Sequence, residues 1–339
     1  MEKYAIVTIV FGDEQYIIGA LCLAQSLRLV GTKSDIVCMV TNDISEEAIL
    51  ALKQLYTKVK LVDYIKHDTV EFSSTKTNQR YSHWINASFT KWRCLELVEY
   101  KSIVFMDADM ICVQNFDDLF TSISPPATIF SNSLSAVKSY IMPQESSARH
   151  GELIPLDIPE VLLLNSYQLV NGAFCMLKPM KELADVYVAY LAEHKMPYGT
   201  GHPFNGVDEQ ILIDLFSFIN KRLHKNFIQW TNISISYSMV PWNKAPLAQG
   251  DKVHNLHYLK VKPWKQSPTE WPDLSIWYSI LHVVAMNLKL RNYLKKFDIM
   301  LDFIDNSIKC AWCNSDTHKM FKIENDNTIL SILCPHMVG

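Results

Sequence analysis

The chain has 339 residues, 49% of them hydrophobic and 20% charged, with 10 glycines; this describes a globular protein with a sizeable core and excludes a disordered or glycine-rich chain. A formal net charge of −3 gives no electrostatic reason to expect nucleic acid or an anionic membrane as partner. No apolar stretch reaches the roughly 18 residues that a membrane span needs.

Met1-Glu2-Lys3-Tyr4 runs directly into the apolar Ala5–Val10. That reads as a first strand and not as a signal peptide, because the run is short and no small-residue cleavage site follows. The strand is expected over Ile6–Val10. Ile17–Val30 then reads as a helix, with Ile18, Leu21, Cys22 and Leu29 at helical spacing. Ile36–Thr41 is a strand. Ser45–Tyr56 is a helix opened by a Ser45 cap, with Glu47 near its first turn. Val59–Val62 is a strand, Ala87–Val98 a helix and Ile103–Met106 a strand. Such alternation predicts an α/β fold, a mostly parallel sheet with helices on both faces. Ligands then lie beyond the carboxyl ends of the strands, where Phe11–Tyr16 and Asp107–Asp109 fall.

Residues 121–168 are rich in Pro, Ser and polar side chains without a sustained period, and read as an insertion or lid. Leu169–Leu177 returns to strand, and Lys181–Ala192 and Glu209–Phe218 are helices. Leu274–Phe303 is largely helical and amphipathic, suited to cover either the core or a dimer surface. The expected division is a catalytic core over 1–265 and a C-terminal helical appendage over 266–339. Cys22, Cys38, Cys94, Cys112 and Cys175 sit singly in apolar segments, as buried free thiols of a reducing, cytoplasmic compartment would. The sequons at Asn86 and Asn232 are then chance matches. In the tail, Cys310-Ala-Trp-Cys313 with Cys334 and His336 resembles a small zinc knuckle, with unpaired thiols as the alternative.

Ile103-Val-Phe-Met-Asp107-Ala-Asp109-Met-Ile111 places two carboxylates one residue apart at the end of a buried strand. Buried carboxylates are costly unless a cation compensates them. Hard oxygen ligands suit Mn²⁺ or Mg²⁺, and an ion held this way commonly carries a substrate's phosphates. The bland alternative makes them turn residues at a strand end.

Six motifs in order resemble glycosyltransferase family 8, the family of glycogenin. They are Val7-Thr8-Ile9 with Tyr16 and Gly19-Ala20-Leu21; Phe89-Thr90-Lys91-Trp92; Phe105-Met106-Asp107-Ala108-Asp109 with Asn115–Phe120; Asn171-Gly172-Ala173-Phe174; Asn205-Gly206-Val207-Asp208-Glu209-Gln210; and His257-Tyr258-Leu259 with Lys262-Pro263-Trp264. The resemblance implies a GT-A fold, a Rossmann-like sheet that binds a nucleotide sugar. It also implies Mn²⁺-assisted transfer from a UDP-sugar, with retention of anomeric configuration, to a sugar, polyol or protein hydroxyl.

Carried onto this chain, Asp107, Asp109 and His257 would ligate the metal, and Lys262 would neutralise phosphate. Thr8, Ile9, Val10, Tyr16, Ala108 and Leu259 would line the nucleotide, while Arg80, Lys91, Asn171, Gly172, Asp208 and Glu209 would meet phosphate or sugar. Asp208, Lys91 and Lys262 are the expected catalytic residues. The plain reading of Asp208 is a helix cap. Glu209 stands where glycogenin has Gln and Asn205 where it has Asp, so glucose, the expected hexose, is not assured. The segment matching glycogenin's own glucosylated tyrosine holds Gln229 and Trp230, which supply no hydroxyl. A catalytically weak binding or scaffold relative is the competing reading, and a homodimer is compatible with either.

Overall fold

The computed structural model describes residues 3–69, 82, 84–130, 149–159, 171–193, 207–223, 228–241, 252–259, 261–266 and 272–297. The proposed zinc ligands Cys310, Cys313, Cys334 and His336, and Arg80 and Asn205, lie outside them.

Nine strands are described: β1 (Tyr4–Val10), β2 (Asp35–Val40), β3 (Lys58–Leu61), β4 (Ser102–Met106), β5 (Met110–Cys112), β6 (Ala127–Thr128), β7 (Phe174–Leu177), β8 (Thr231–Asn232) and β9 (Asn255–His257). Seven form one mostly parallel sheet in the order β3-β2-β1-β4-β7-β6-β8, and β5 pairs with β9. The α-helices are α1 (Tyr16–Leu29), α2 (Glu46–Leu52), α3 (Leu119–Ser122), α4 (Lys181–Glu193), α5 (Asp208–Leu223), α6 (Pro272–Ala285) and α7 (Leu288–Leu294). The expected α/β alternation is therefore present.

The chain divides into two compact units. The first comprises Met1–Val7, Val62–Met106 and Asp118–Ile235. Here β1 runs parallel to β4, from Tyr4 opposite Ser102 to Val7 opposite Phe105. β7 runs antiparallel to β4 and to β6, whereas β8 is parallel to β6. All five residues of β4 are buried, the continuous apolar run of a strand covered on both faces. Phe89, Trp92, Phe105, Phe174 and Tyr187 fill the core.

Two expectations change in this unit. The helix expected over Ala87–Val98 is a run of 3-10 turns over Ile85–Glu96. Ser88 and Thr90 return their hydroxyls to the carbonyls of Ile85 and Ala87, each three residues back, at 2.7 Å. Thr90 also donates to Ile65 and accepts from its amide, so its hydroxyl ties the segment to a neighbour. Those local bonds compete with the regular α pattern. The stretch 121–168 is not wholly an insertion: Ala127–Thr128 is β6, and Ile129 and Phe130 are fully buried. Residues 131–148 and 160–168 lie outside the described set. Asn232 of the second sequon is fully buried; its side chain accepts from Phe130 N at 2.9 Å and donates to Arg149 O at 3.1 Å.

The second unit comprises the described residues of Thr8–Leu61, Asp107–Asp117 and Ser236–Gly339. Helix α1 is buried around most of its circumference, from Ile17 through Ala24 without interruption. It packs against β5 and α6, which explains why its sequence is apolar beyond one stripe. Leu274, Trp277, Ile280 and Leu281 of α6 are buried within this unit. Ser45 caps α2 by accepting from Ala48 N at 3.2 Å, as expected, although the helix stops at Leu52. The five cysteines of the described segments are buried and unpaired.

Candidate metal centre and its neighbours

The cluster that the sequence points to forms within the second unit. After Met106 the chain turns, Met110 N donating to Asp107 O at 3.2 Å, and enters β5. β5 pairs antiparallel with β9, so that Met110 faces His257. Tyr258 N donates to Asp109 O at 3.1 Å and locks the register beside the turn. Two residues 148 positions apart are thereby neighbours. One ligand atom each from Asp107, Asp109 and His257 lies within 4.8 Å of the others.

The donor set fits a divalent cation. Asp109 Oδ1 is buried and accepts no hydrogen bond, and His257 Nε2 lies 3.4 Å from it. His257 Nδ1 is held 3.1 Å from the Ser238 hydroxyl, which fixes the ring and leaves Nε2 facing the carboxylates. His254, the other nearby imidazole, stacks on Tyr237 with ring centroids 4.1 Å apart and is not in the cluster.

Lys262 completes the centre. Pro263 restricts the residue before it to extended backbone, and Lys262 has φ −75° and ψ 143°. Its ammonium pairs with Asp109 Oδ2 and donates to the carbonyls of Tyr258 at 3.1 Å and Leu259 at 3.3 Å. Burial pushes the Asp109 carboxyl up, but Lys262 and His257 outweigh it and hold the group well below the usual carboxylate range. Burial lowers Lys262, whereas Asp109, Tyr16 and Asp107 raise it further, for a net rise. Since Lys262 already meets one oxygen of Asp109, burial alone does not demand a metal; the convergence of Oδ1 with Asp107 and His257 is what could hold one.

The nucleotide-lining candidates of this unit lie close by. Tyr16 opens α1 and meets Trp264 edge-on, centroids 5.2 Å apart, with Lys262 Nζ 5.9 Å from its ring. Burial first, and then the carboxylates of Asp109, Asp107 and Asp13 against the opposing Lys262, push the Tyr16 phenol up to about 12. Thr8 is 1% exposed, and its hydroxyl has no hydrogen-bond partner. Ile9, Val10 and Ala108 are buried, whereas Leu259 is 45% exposed. Gly19 is required by contact: a Cβ there would stand 2.4 Å from Ala108 O and 2.6 Å from the Trp264 ring.

The first unit brings together a second set. Lys91 Nζ lies 2.9 Å from Asp208 Oδ2, both side chains more than nine-tenths buried. Trp92 Nε1 donates to Asp208 O at 3.1 Å, and Lys91 sits 5.5 Å from the Phe105 ring. Asp208 is the first residue of α5, a carboxylate at the positive end of the helix. Gly172 abuts Glu209, whose Cβ and Oε2 lie 3.0 Å from where a Cβ would project. Asn171 turns the chain into β7 by accepting from Ala173 N at 3.0 Å. Trp230 is 3% exposed and stacks on Phe216 at 5.2 Å.

Sequence reading missed Ser238 altogether; Gly19 and Trp92 stood in quoted motifs without their supporting contacts. A glycine inside an apolar helical pattern was the available signal for Gly19. Ser238 carried none, because its role depends on a contact 19 positions away.

Residues 7–141 match the family model "Glycosyl transferase family 8". An uncharacterized protein of Acanthamoeba polyphaga mimivirus is 28% identical over 325 residues, 92% of this chain and 100% of that protein. UDP-glucuronate:xylan alpha-glucuronosyltransferase 2 of Arabidopsis thaliana is 24% identical over 267 residues, 78% of this chain and 36% of that protein. Glycogenin-1 of Caenorhabditis elegans is 32% identical over 109 residues, 32% of this chain and 24% of that protein. The chain thus spans the whole viral protein but about a third of the plant enzyme. Among solved structures, the bifunctional glycosyltransferase WbbM in its apo form is similar with a TM-score of 0.50 and 15% identity, over 86% of this chain and 51% of that one.

Proposed function

We propose that this chain, which carries a glycosyl transferase family 8 domain on a GT-A fold, transfers a hexose from a UDP-sugar to a hydroxyl acceptor with retention of configuration, assisted by Mn²⁺. The observation that carries the reading is the convergence of Asp107, Asp109 and His257 around the unsatisfied Asp109 Oδ1. Two carboxylates with one imidazole favour Mn²⁺ over Mg²⁺, which is usually bound through carboxylates and substrate phosphates. When bound, the ion neutralises charge on the nucleotide diphosphate leaving group.

The residues then divide the work. Lys262 presents a point charge to the diphosphate. Thr8, with its unsatisfied hydroxyl, and Tyr16 bind the nucleotide. Asp208, paired with Lys91, orients the sugar and stabilises positive charge on it. Glu209 beside Gly172 adds a second carboxylate, which favours a neutral hexose such as glucose over an anionic one. Trp230 is buried and stacked and is not the acceptor.

Measuring UDP release from a panel of UDP-sugars, with Mn²⁺ and with chelator, tests the reading. Mn²⁺-dependent turnover of at least one donor is expected, abolished in an Asp107→Ala, Asp109→Ala variant. A chain that binds UDP-sugars but turns none over, with or without acceptor, would instead be a binding or scaffold relative.

A further inference from the structure

We propose that Lys262 and a divalent cation compete for one carboxylate, Asp109, so that loading the ion frees the Lys262 ammonium for an incoming anion. The proposal rests on reading Asp107, Asp109 and His257 as a metal centre and adds an order to it.

Asp109 is shared between two claims. Its Oδ2 is engaged by Lys262, and its Oδ1 points to the other two members of the cluster. A divalent ion held by Asp109 would share that carboxylate with the ammonium, in a site where Asp109 and His257 are almost wholly buried and water screens little. The like charges cannot both keep their grip on the carboxylate without a large repulsion. Lys262 is the partner able to move. Its stem is flexible, its side chain is 16% exposed, and the Tyr258 and Leu259 carbonyls already accept from its ammonium, so part of its hydrogen bonding survives release from Asp109. His257, by contrast, sits in the β5–β9 ladder, and the backbone carbonyls of Asp107 and Asp109 beside it are held by Met110 N and Tyr258 N. A lysine released in this way is an unpaired cation near a freshly loaded metal, and a diphosphate satisfies both. Metal and anion binding are then coupled, each strengthening the other by the same factor.

The test uses the full chain, freed of metal by chelation, and reads binding rather than turnover. Free Mn²⁺ is followed by electron paramagnetic resonance without nucleotide. Lys262→Met is expected to bind Mn²⁺ about tenfold more tightly than the unmodified chain, and Asp107→Asn to lose most of the binding. Lys262→Gln stands in if the methionine variant does not fold. In the unmodified chain, acetylation of Lys262 by a water-soluble amine reagent, quantified by mass spectrometry, is expected to accelerate when Mn²⁺ is added and to slow again when UDP follows. If Asp107→Asn abolishes Mn²⁺ binding while the Lys262 variants bind no tighter and Lys262 labelling ignores Mn²⁺, the competition is wrong and the metal centre stands. If the unmodified chain and Asp107→Asn both fail to bind Mn²⁺, the metal reading falls and takes this proposal with it.

Discussion

Lys91 and Asp208, proposed for the chemistry, are also a buried ion pair on which structure depends. Each neutralises the other in a buried setting, so removing one leaves the other stranded. Asp208→Asn should therefore cost about 3–5 kcal/mol of stability as well as turnover. A Lys91→Met, Asp208→Leu double variant should regain most of that stability, because a buried pair is often replaced by apolar residues at little loss, yet stay inactive. Denaturant unfolding and UDP release measured on the same three proteins separate the two roles; recovered activity in the double variant would remove Asp208 from the chemistry. Ser238 makes a smaller point. Its hydroxyl holds His257 Nδ1, and Ser238→Ala should weaken Mn²⁺ binding roughly 10–100-fold with little effect on the melting temperature. Titration of free Mn²⁺ reads that directly.

At the scale of elements, the centre depends on a helix that contributes no ligand. α1 lies against the Asp107–Asp109 turn and Trp264 only because position 19 has no side chain. Gly19→Ala forces the Ala108 carbonyl or the helix to move, an overpacking cost of about 1–3 kcal/mol. The expected signature is a lowered melting temperature together with weaker Mn²⁺ binding, measured by thermal shift with and without the ion; an unchanged Mn²⁺ affinity would show the turn to be independent of α1. Elements of this kind were readable to different degrees. β1, β2, β3, β4 and β7, with α1, α4 and α5, follow from apolar runs and helical spacing, and Asp107 and Asp109 from a carboxylate pair interrupting such a run; β5, β8 and β9 were not read. The 3-10 course of Ile85–Glu96 was hidden, because the hydroxyls of Ser88 and Thr90 choose their partners only once the segment is buried. β6 was hidden because two residues carry no period. The meeting of Asp109 with His257 came from a family resemblance and not from spacing: nothing local in His257-Tyr-Leu reports a β5–β9 ladder.

For the whole molecule, burial of phenols sets an alkaline limit. Tyr278 is pushed up to about 12 by burial, helped by Cys22, and Tyr16 to about 12 for the reasons given above. Unfolded tyrosines ionise near pH 10. Above that value the unfolded chain holds fewer protons than the folded one, so stability falls as pH rises from about 10 to about 12, and is unaffected by these groups below it. Absorbance of tyrosinate during an alkaline titration, read beside circular dichroism, should show these phenols ionising as the fold is lost; free ionisation of every tyrosine near pH 10 in a still-folded chain would contradict it. Among the described residues no helix is long and apolar enough to cross a membrane.

The central claim is that Asp107, Asp109 and His257 together grip one divalent ion. Anomalous diffraction at the manganese edge, from crystals grown with UDP and Mn²⁺, tests it most directly. The account predicts a single strong peak in contact with both carboxylates and with His257 Nε2, adjoining the diphosphate, with the Lys262 ammonium on phosphate. A peak away from those three side chains, or UDP bound with no manganese beside it, would contradict it.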